Sequence, residues 1–326
     1  MMKSPVYNKT PLLLAGLLLA LSLPGMVLAQ LTDPSDSITG QRGAMQIYKY
    51  DARSSALAGA NIAEAVDVSA INLNPAALSF VRNPNALQMT MHQNWNNNMM
   101  MQNFTLPAMM NYSHSVAAQF GLHHSGASAT NPGSEAWPTP DLSMYQADFA
   151  YAWSFENILS VGVFNNISFA RNENARFWTY FANIGVMYAP SRTISYGLTL
   201  KGLGRSITYE VLEGGRTILG SQALRQSLEL GTTLHFPVDS DERYMSLSIS
   251  NEKRFGENGM WYKGGLELKP TSVLSLRTGI LFHPDIRPIP RFGFGLGGDV
   301  FSLDYTFSYR SVVDHQFHQL GLTLQF

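Results

Sequence analysis

Phe301-Ser302-Leu303-Asp304-Tyr305-Thr306-Phe307-Ser308-Tyr309-Arg310 alternates without a break. Side chains in a β-strand switch faces at every residue, so Phe301, Leu303, Tyr305, Phe307 and Tyr309 share one side. Ser302, Asp304, Thr306, Ser308 and Arg310 share the other. A helix would scatter both sets around its circumference. The stretch therefore reads as a strand with one greasy aromatic face and one fully polar face.

Working outward, the same two-faced pattern recurs from about 86 to 326. Tyr145, Ala147, Phe149, Tyr151 and Trp153 oppose Gln146, Asp148, Ala150 and Ala152. Leu228, Leu230, Thr232, Leu234 and Phe236 oppose Ser227, Glu229, Gly231 and His235. Leu274, Leu276 and Ile280 oppose Ser275, Arg277 and Gly279, and Tyr262, Leu266 and Leu268 oppose Lys263, Gly265 and Glu267. Strands of soluble sandwiches average five or six residues, whereas a strand crossing a bilayer at a tilt needs ~9–11. These runs are of the longer kind and carry aromatics near their ends, as membrane girdles do.

The sequence thus predicts an all-β protein, an antiparallel transmembrane β-barrel of about 14 strands. The segments are 86–95, 99–113, 115–125, 142–154, 157–170, 177–189, 193–206, 222–236, 243–251, 257–269, 271–283, 289–298, 299–310 and 315–326. Short turns fall near Phe155–Asn157, Pro190–Arg192 and Lys269–Thr271. Longer connections are expected at Gly126–Asp141, Arg171–Arg176, Val211–Ser221 and His283–Pro288, facing outside the cell. A terminal Phe326 closing an alternating strand is the usual signal read by the outer-membrane assembly machinery.

Composition agrees. Only 14% of the 326 residues are charged, against ~25% in ordinary soluble domains. A net charge of −1 speaks against nucleic acid as a partner. With no cysteine, disulfide scaffolds, thiolate metal sites and thiol nucleophiles are excluded. Lys3 and Lys9, the apolar run Leu12 to Leu23 and Val27-Leu28-Ala29 read as a cleaved secretory leader over 1–29. No later segment is long and apolar enough for a membrane-spanning helix, which leaves a closed barrel as the way into a bilayer.

Residues 30–85 break the alternation and are rich in small side chains. They are expected to pack as a plug inside or beneath the barrel of 86–326. Arg53…Ala58-Gly59-Ala60, followed by Asp67 and Asn74-Pro75-Ala76-Ala77-Leu78, resembles the opening of FadL-type outer-membrane proteins. That resemblance implies a fourteen-stranded barrel, a plug motif at Asp67, Asn74, Pro75 and Ala76, and passage of long-chain fatty acids or aromatic hydrocarbons. The C-terminal part, Arg291-Phe292-Gly293-Phe294-Gly295-Leu296-Gly297 through Leu320-Gly321-Leu322-Thr323-Leu324-Gln325-Phe326, is similar to the PorV/PorQ-like branch. This second resemblance implies an accessory of type IX protein secretion that docks to a translocon.

Reactive chemistry is not evident. His123 and His124 point to opposite faces of a strand, as do His315 and His318, so neither pair reads as a metal site. No nucleophile-elbow, phosphate-loop or zinc-protease motif occurs, and neither catalysis nor a cofactor is expected. Gly293, Gly295, Gly297 and Gly298 read as room for a plug or a bulky neighbour. Met89, Met91, Met99, Met100, Met101, Met109 and Met110 read as lipid- or plug-facing filler. The inner face is expected to carry Asp148, Lys201, Arg225, Glu229, Lys263, Glu267, Arg277, Asp304 and Arg310. Such mixed signs favour a filled or narrow lumen over an ion-selective pore.

Two functions follow: a PorV/PorQ-like secretion accessory at the surface of a Gram-negative cell, which the C-terminal resemblance favours, or a FadL-type transporter of hydrophobic small molecules. For the second, Trp137, Trp178 and Phe181 are the candidate ligand contacts.

Overall fold

In the computed structural model, residues 51–325 are described, apart from 65–66, 82–85, 95–98, 112, 126–141, 172–174, 206, 214–215, 238–243, 299 and 311–314. The expected leader, Trp137 and Phe326 lie outside the described residues, as does the side chain of Arg310.

The chain begins with a short helix, α1 (Ala52–Ala56), and two 3-10 turns, Val68–Asn72 and Pro75–Phe80. Seven strands follow: β1 (Ala86–Asn94), β2 (Met99–Asn111), β3 (His114–Ser125), β4 (Leu142–Phe155), β5 (Leu159–Arg171), β6 (Ala175–Tyr188) and β7 (Ile194–Gly204). A small hairpin, β8 (Ile207–Glu213) and β9 (Arg216–Gln222), precedes β10 (Ser227–Phe236), β11 (Met245–Arg254) and β12 (Trp261–Leu268). The last four are β13 (Leu274–His283), β14 (Ile286–Gly297), β15 (Phe301–Arg310) and β16 (His315–Gln325).

Fourteen of these strands close a barrel. Each pairs antiparallel with its sequence neighbour, β7 passes over the hairpin to pair with β10, and β16 returns to β1. Closure leaves the ring itself without an open edge, the requirement for a sheet in hydrocarbon. β8 and β9 stay outside the ring: β8 pairs only with Ala175–Trp178 at the far end of β6, and β9 with β8. This corrects the loop expected over Val211–Ser221, which is strand at 211–213 and 216–221. His283–Pro288 is likewise no long loop, because β13 and β14 meet at a tight turn through Pro284 and Asp285.

Burial separates the two faces sharply. On β5, Asn166 is fully buried while Ile167 beside it is 61% exposed. On β10, Glu229 is fully buried while Leu230 is 56% exposed. An outer surface of Phe120, Ile167, Leu230, Ile249 and Phe292 around a polar interior inverts a soluble protein and suits a bilayer. Met89 and Met91 lie on this outer face, and the methionine side chains at 99–101 and 109–110 lie outside the described residues.

The core is the barrel's interior, filled by residues 51–81. Val68, Ile71, Leu78 and Val81 pack against Ala117, Ala150, Ala152 and Phe164 on β3, β4 and β5. Glycines on the inner wall let this segment approach. A Cβ on Gly162 would lie 2.4 Å from the backbone of Pro75 and Ala76, and one on Gly279 2.5 Å from the Ala56 carbonyl. Of the four glycines read as spacers near the C-terminus, Gly293 makes room for Ala56 and Gly295 for the Arg277 guanidinium. A Cβ on Gly297 would meet its cross-strand neighbour Ser302 and the Phe301 carbonyl, and Gly298 has open space around it.

Candidate functional site: the plugged lumen

Asn74 is where the plug is tied to the wall. It is fully buried, and its Nδ2 donates to the Ile62 carbonyl within the plug and to the Val186 carbonyl on β6, each at 3.0 Å. Its Oδ1 accepts from the Ala76 amide at 3.1 Å, capping the 3-10 turn that Pro75 opens. Pro75 and Ala76 sit over Gly162, and Gly185 leaves the space Asn74 occupies. Asp67 stands at the start of the preceding turn, its carbonyl accepting from the Ala70 amide at 3.3 Å.

At the other end of the plug, Asp51 caps α1 by accepting from the Ser54 amide at 2.9 Å. Arg53 reaches from α1 to Glu64 (2.7 Å) and to Glu267 on β12 (2.7 Å). Arg277 on β13 continues the chain to Glu267 (2.6 Å) and Asp304. Burial alone would pull the Arg53 guanidinium down; Glu267 and Glu64 more than offset this and hold its pKa well above that of a free arginine. Thr306 donates to the Ala52 carbonyl, and Arg291 donates to that of Ser55 at 3.3 Å.

A second cluster lies within the wall itself. Glu229 accepts Lys201 at 2.6 Å, Lys263 at 2.8 Å and the Ser250 hydroxyl at 2.8 Å. Lys263 also meets Glu252 at 3.0 Å, and Arg254 pairs with Glu252 at 3.3 Å. Arg254 in turn lies over the Trp261 ring at 4.4 Å.

Seven of the nine expected inner charges are therefore buried on the inner face: Asp148, Lys201, Glu229, Lys263, Glu267, Arg277 and Asp304. Arg225 is not among them. It precedes β10, its side chain is half exposed, and it pairs with Glu257 at 3.4 Å in the β11–β12 connection. Arg53, named in the sequence only as part of the FadL-like opening, completes the clusters with Glu64 and Glu252, which were not singled out. Glu252 continues the inner series Ser246, Ser248, Ser250, one residue past the boundary drawn at 251, so extending the alternation would find it. Nothing in the sequence pairs Arg53 with Glu267.

Among the described residues, the opposite wall, β1 to β5, is mostly uncharged and hydrogen-bonding. Gln88, Asn103, Gln119, Gln146 and Asn166 are buried there, with Asp148 accepting from Asn166. Beyond the wall residues that pack on the plug, a further apolar cluster lines the lumen. Met144, Ala170, Ala175, Phe177 and Leu224 cluster at the end away from the chain termini, with Phe181 and Tyr209 packed on them. Tyr209 comes from the hairpin, its ring 6.3 Å from that of Phe177. Phe181 also packs on the plug's apolar cluster, and its ring is 6.4 Å from that of Phe164. Tyr209 and Phe177 at the mouth and Phe164 at the plug are thus linked through Phe181, which packs on both clusters, into one aromatic strip. Trp178, expected beside Phe181 as a contact, alternates to the outer face. His123 is buried on the inner face while His124 is exposed on the outer, and among the described residues no group of acidic or histidine side chains is gathered for a metal.

No family model matches the chain, and no curated protein does. Solved structures do. The toluene transporter TbuX of Ralstonia pickettii is similar over 86% of this chain and 100% of its own, at 11% identity and a TM-score of 0.61. The P. putida toluene transporter TodX gives 12% identity and 0.61 over 86% and 99%. A Pseudomonas aeruginosa FadL homologue gives 12% and 0.60 over 85% and 98%. This chain has their fold. The secretion-accessory expectation finds no support in these neighbours, which lie on the FadL side of the resemblance.

Proposed function

We propose that the protein is an outer-membrane barrel of a Gram-negative bacterium that lets small hydrophobic molecules enter, the bilayer being its standing partner. The observation that carries this reading is the aromatic strip. Apolar side chains on the lumen wall beyond the plug are costly to hydrate and are useful only to an apolar ligand or to packing. Here they link the mouth to the plug. The buried ion pairs on the opposite wall leave no one-signed path for ions. The shared fold with the toluene transporters TbuX and TodX supports a small apolar cargo of that kind, and acyl chains would suit the same strip. In this reading the first thirty or so residues serve as the cleaved export leader.

The test is uptake of radiolabelled toluene and oleate by cells expressing the full chain. Phe177→Ser and Tyr209→Ser remove apolar surface at the mouth without touching the plug. Each is expected to reduce uptake of at least one of the two about tenfold, with unchanged amounts of folded barrel. Unchanged uptake of both would overturn the reading.

A further inference from the structure

The outer face of β3 to β6, at the end away from the chain termini, is built in ordered rows. Cross-strand register places Leu122, Tyr145, Phe169 and Trp178 side by side. One rung further out it places His124, Ser143, Arg171 and Arg176. One rung inward lie Phe120, Ala147 and Ile167. Hydrocarbon-facing, aromatic and cationic rows thus succeed one another within a few residues, as acyl chains, their boundary and headgroups do across a leaflet.

The cationic row contains an anomaly. Arg171 and Arg176 are directly opposite on neighbouring strands, both exposed, and like charges so placed repel. Among the described residues neither makes an ion pair. The contrast with the interior is strong, where Arg53, Lys263 and Arg277 each bridge two carboxylates. Glu210, opposite Arg176 on β8, forms no pair with it, and in sequence the segment 171–176 carries two arginines against one glutamate. Two planar guanidinium forks carried on directly opposed strand positions suit one tetrahedral phosphate. The Phe169–Trp178 rung beneath fixes that phosphate at headgroup depth.

We infer that Arg171 and Arg176 form a binding site for the phosphate of an outer-leaflet phosphoglycolipid, whose acyl chains lie over Phe169, Trp178 and Ile167. The choice of leaflet rests on the outer-membrane reading above, since both arginines sit at the end opposite the termini. Free phosphate in solution would satisfy the charges but would make no use of the aromatic rung.

Native mass spectrometry of the purified full chain in detergent, titrated with bisphosphorylated lipid A, tests this. Retention is expected to fall about tenfold in R171Q/R176Q and to survive in part in R171K/R176K, with folding unchanged by heat-modifiability on gels. Dephosphorylated lipid A should be retained no better by the native chain than by R171Q/R176Q. Equal retention of lipid A by the native chain and R171Q/R176Q would overturn the site. Displacement of lipid A by equimolar inorganic phosphate would overturn its assignment to a lipid. Orientation is read separately. T217C, on the exposed hairpin at the same end, in a chain with no other cysteine, should react with an impermeant maleimide on intact cells. Reaction only after lysis would sink the leaflet assignment while leaving the phosphate result standing.

Discussion

Asn74 shows how one side chain can hold two parts of a chain together. Its carboxamide satisfies two carbonyls and one amide in a place water does not reach. Asn74→Asp keeps the shape and loses both donors, stranding two buried carbonyls, and is expected to cost about 3 kcal/mol. Urea unfolding of the barrel in detergent would show it as a lower midpoint. Gly185 is the complementary case, because a Cβ there would lie 2.0 Å from Asn74 Oδ1. Gly185→Ala is expected to cost ~1–3 kcal/mol, whereas Gly298→Ala, with open space around it, should be silent in the same assay. The Asn-Pro-Ala triplet is visible in the sequence, but its partners are not. Ile62 and Val186 are 12 and 112 residues away, and only the closed barrel brings the second one near.

At the scale of elements, alternation made the fourteen barrel strands legible because one face meets lipid and the other the lumen, and no residue escapes that choice. The hairpin β8–β9 escaped because it does not span, so neither face is obliged to be continuously apolar. Its signal was the Gly214-Gly215 pair between two short runs, a common hairpin turn. Arg225 was misplaced for a related reason: it lies before β10 begins, where strand parity no longer governs direction. Since the ring closes without the hairpin, replacing 207–222 by a short Gly/Ser linker is expected to leave a folded, heat-modifiable barrel. Uptake of the hydrophobic ligand should fall, because Tyr209 leaves the mouth; a barrel that no longer folds would contradict the topology.

For the whole molecule, the buried charges do more than fill space. Arg53 belongs to the plug and Glu267 to the wall, so their contact at 2.7 Å couples the two bodies. Removing one partner of such a buried pair typically costs ~3–5 kcal/mol, because the other charge is left without compensation. Arg53→Met should therefore lower stability by about that amount and make the N-terminal segment sensitive to protease. Arg53→Met with Glu64→Gln should recover part of the loss, since one stranded carboxylate is neutralised. The pairing lay beyond sequence reading because 214 residues separate the partners.

The most direct measurement uses the natural absence of cysteine. Single cysteines placed from 301 to 308, spin-labelled, would be compared in bilayers for collision with oxygen, which concentrates in lipid, and with a water-soluble nickel chelate. Oxygen accessibility should rise at 301, 303, 305 and 307 and fall at 302, 304, 306 and 308, with the inner set shielded from the chelate by the plug. A flat profile, or chelate access along the whole strand, would contradict a plugged barrel whose every second side chain touches the membrane.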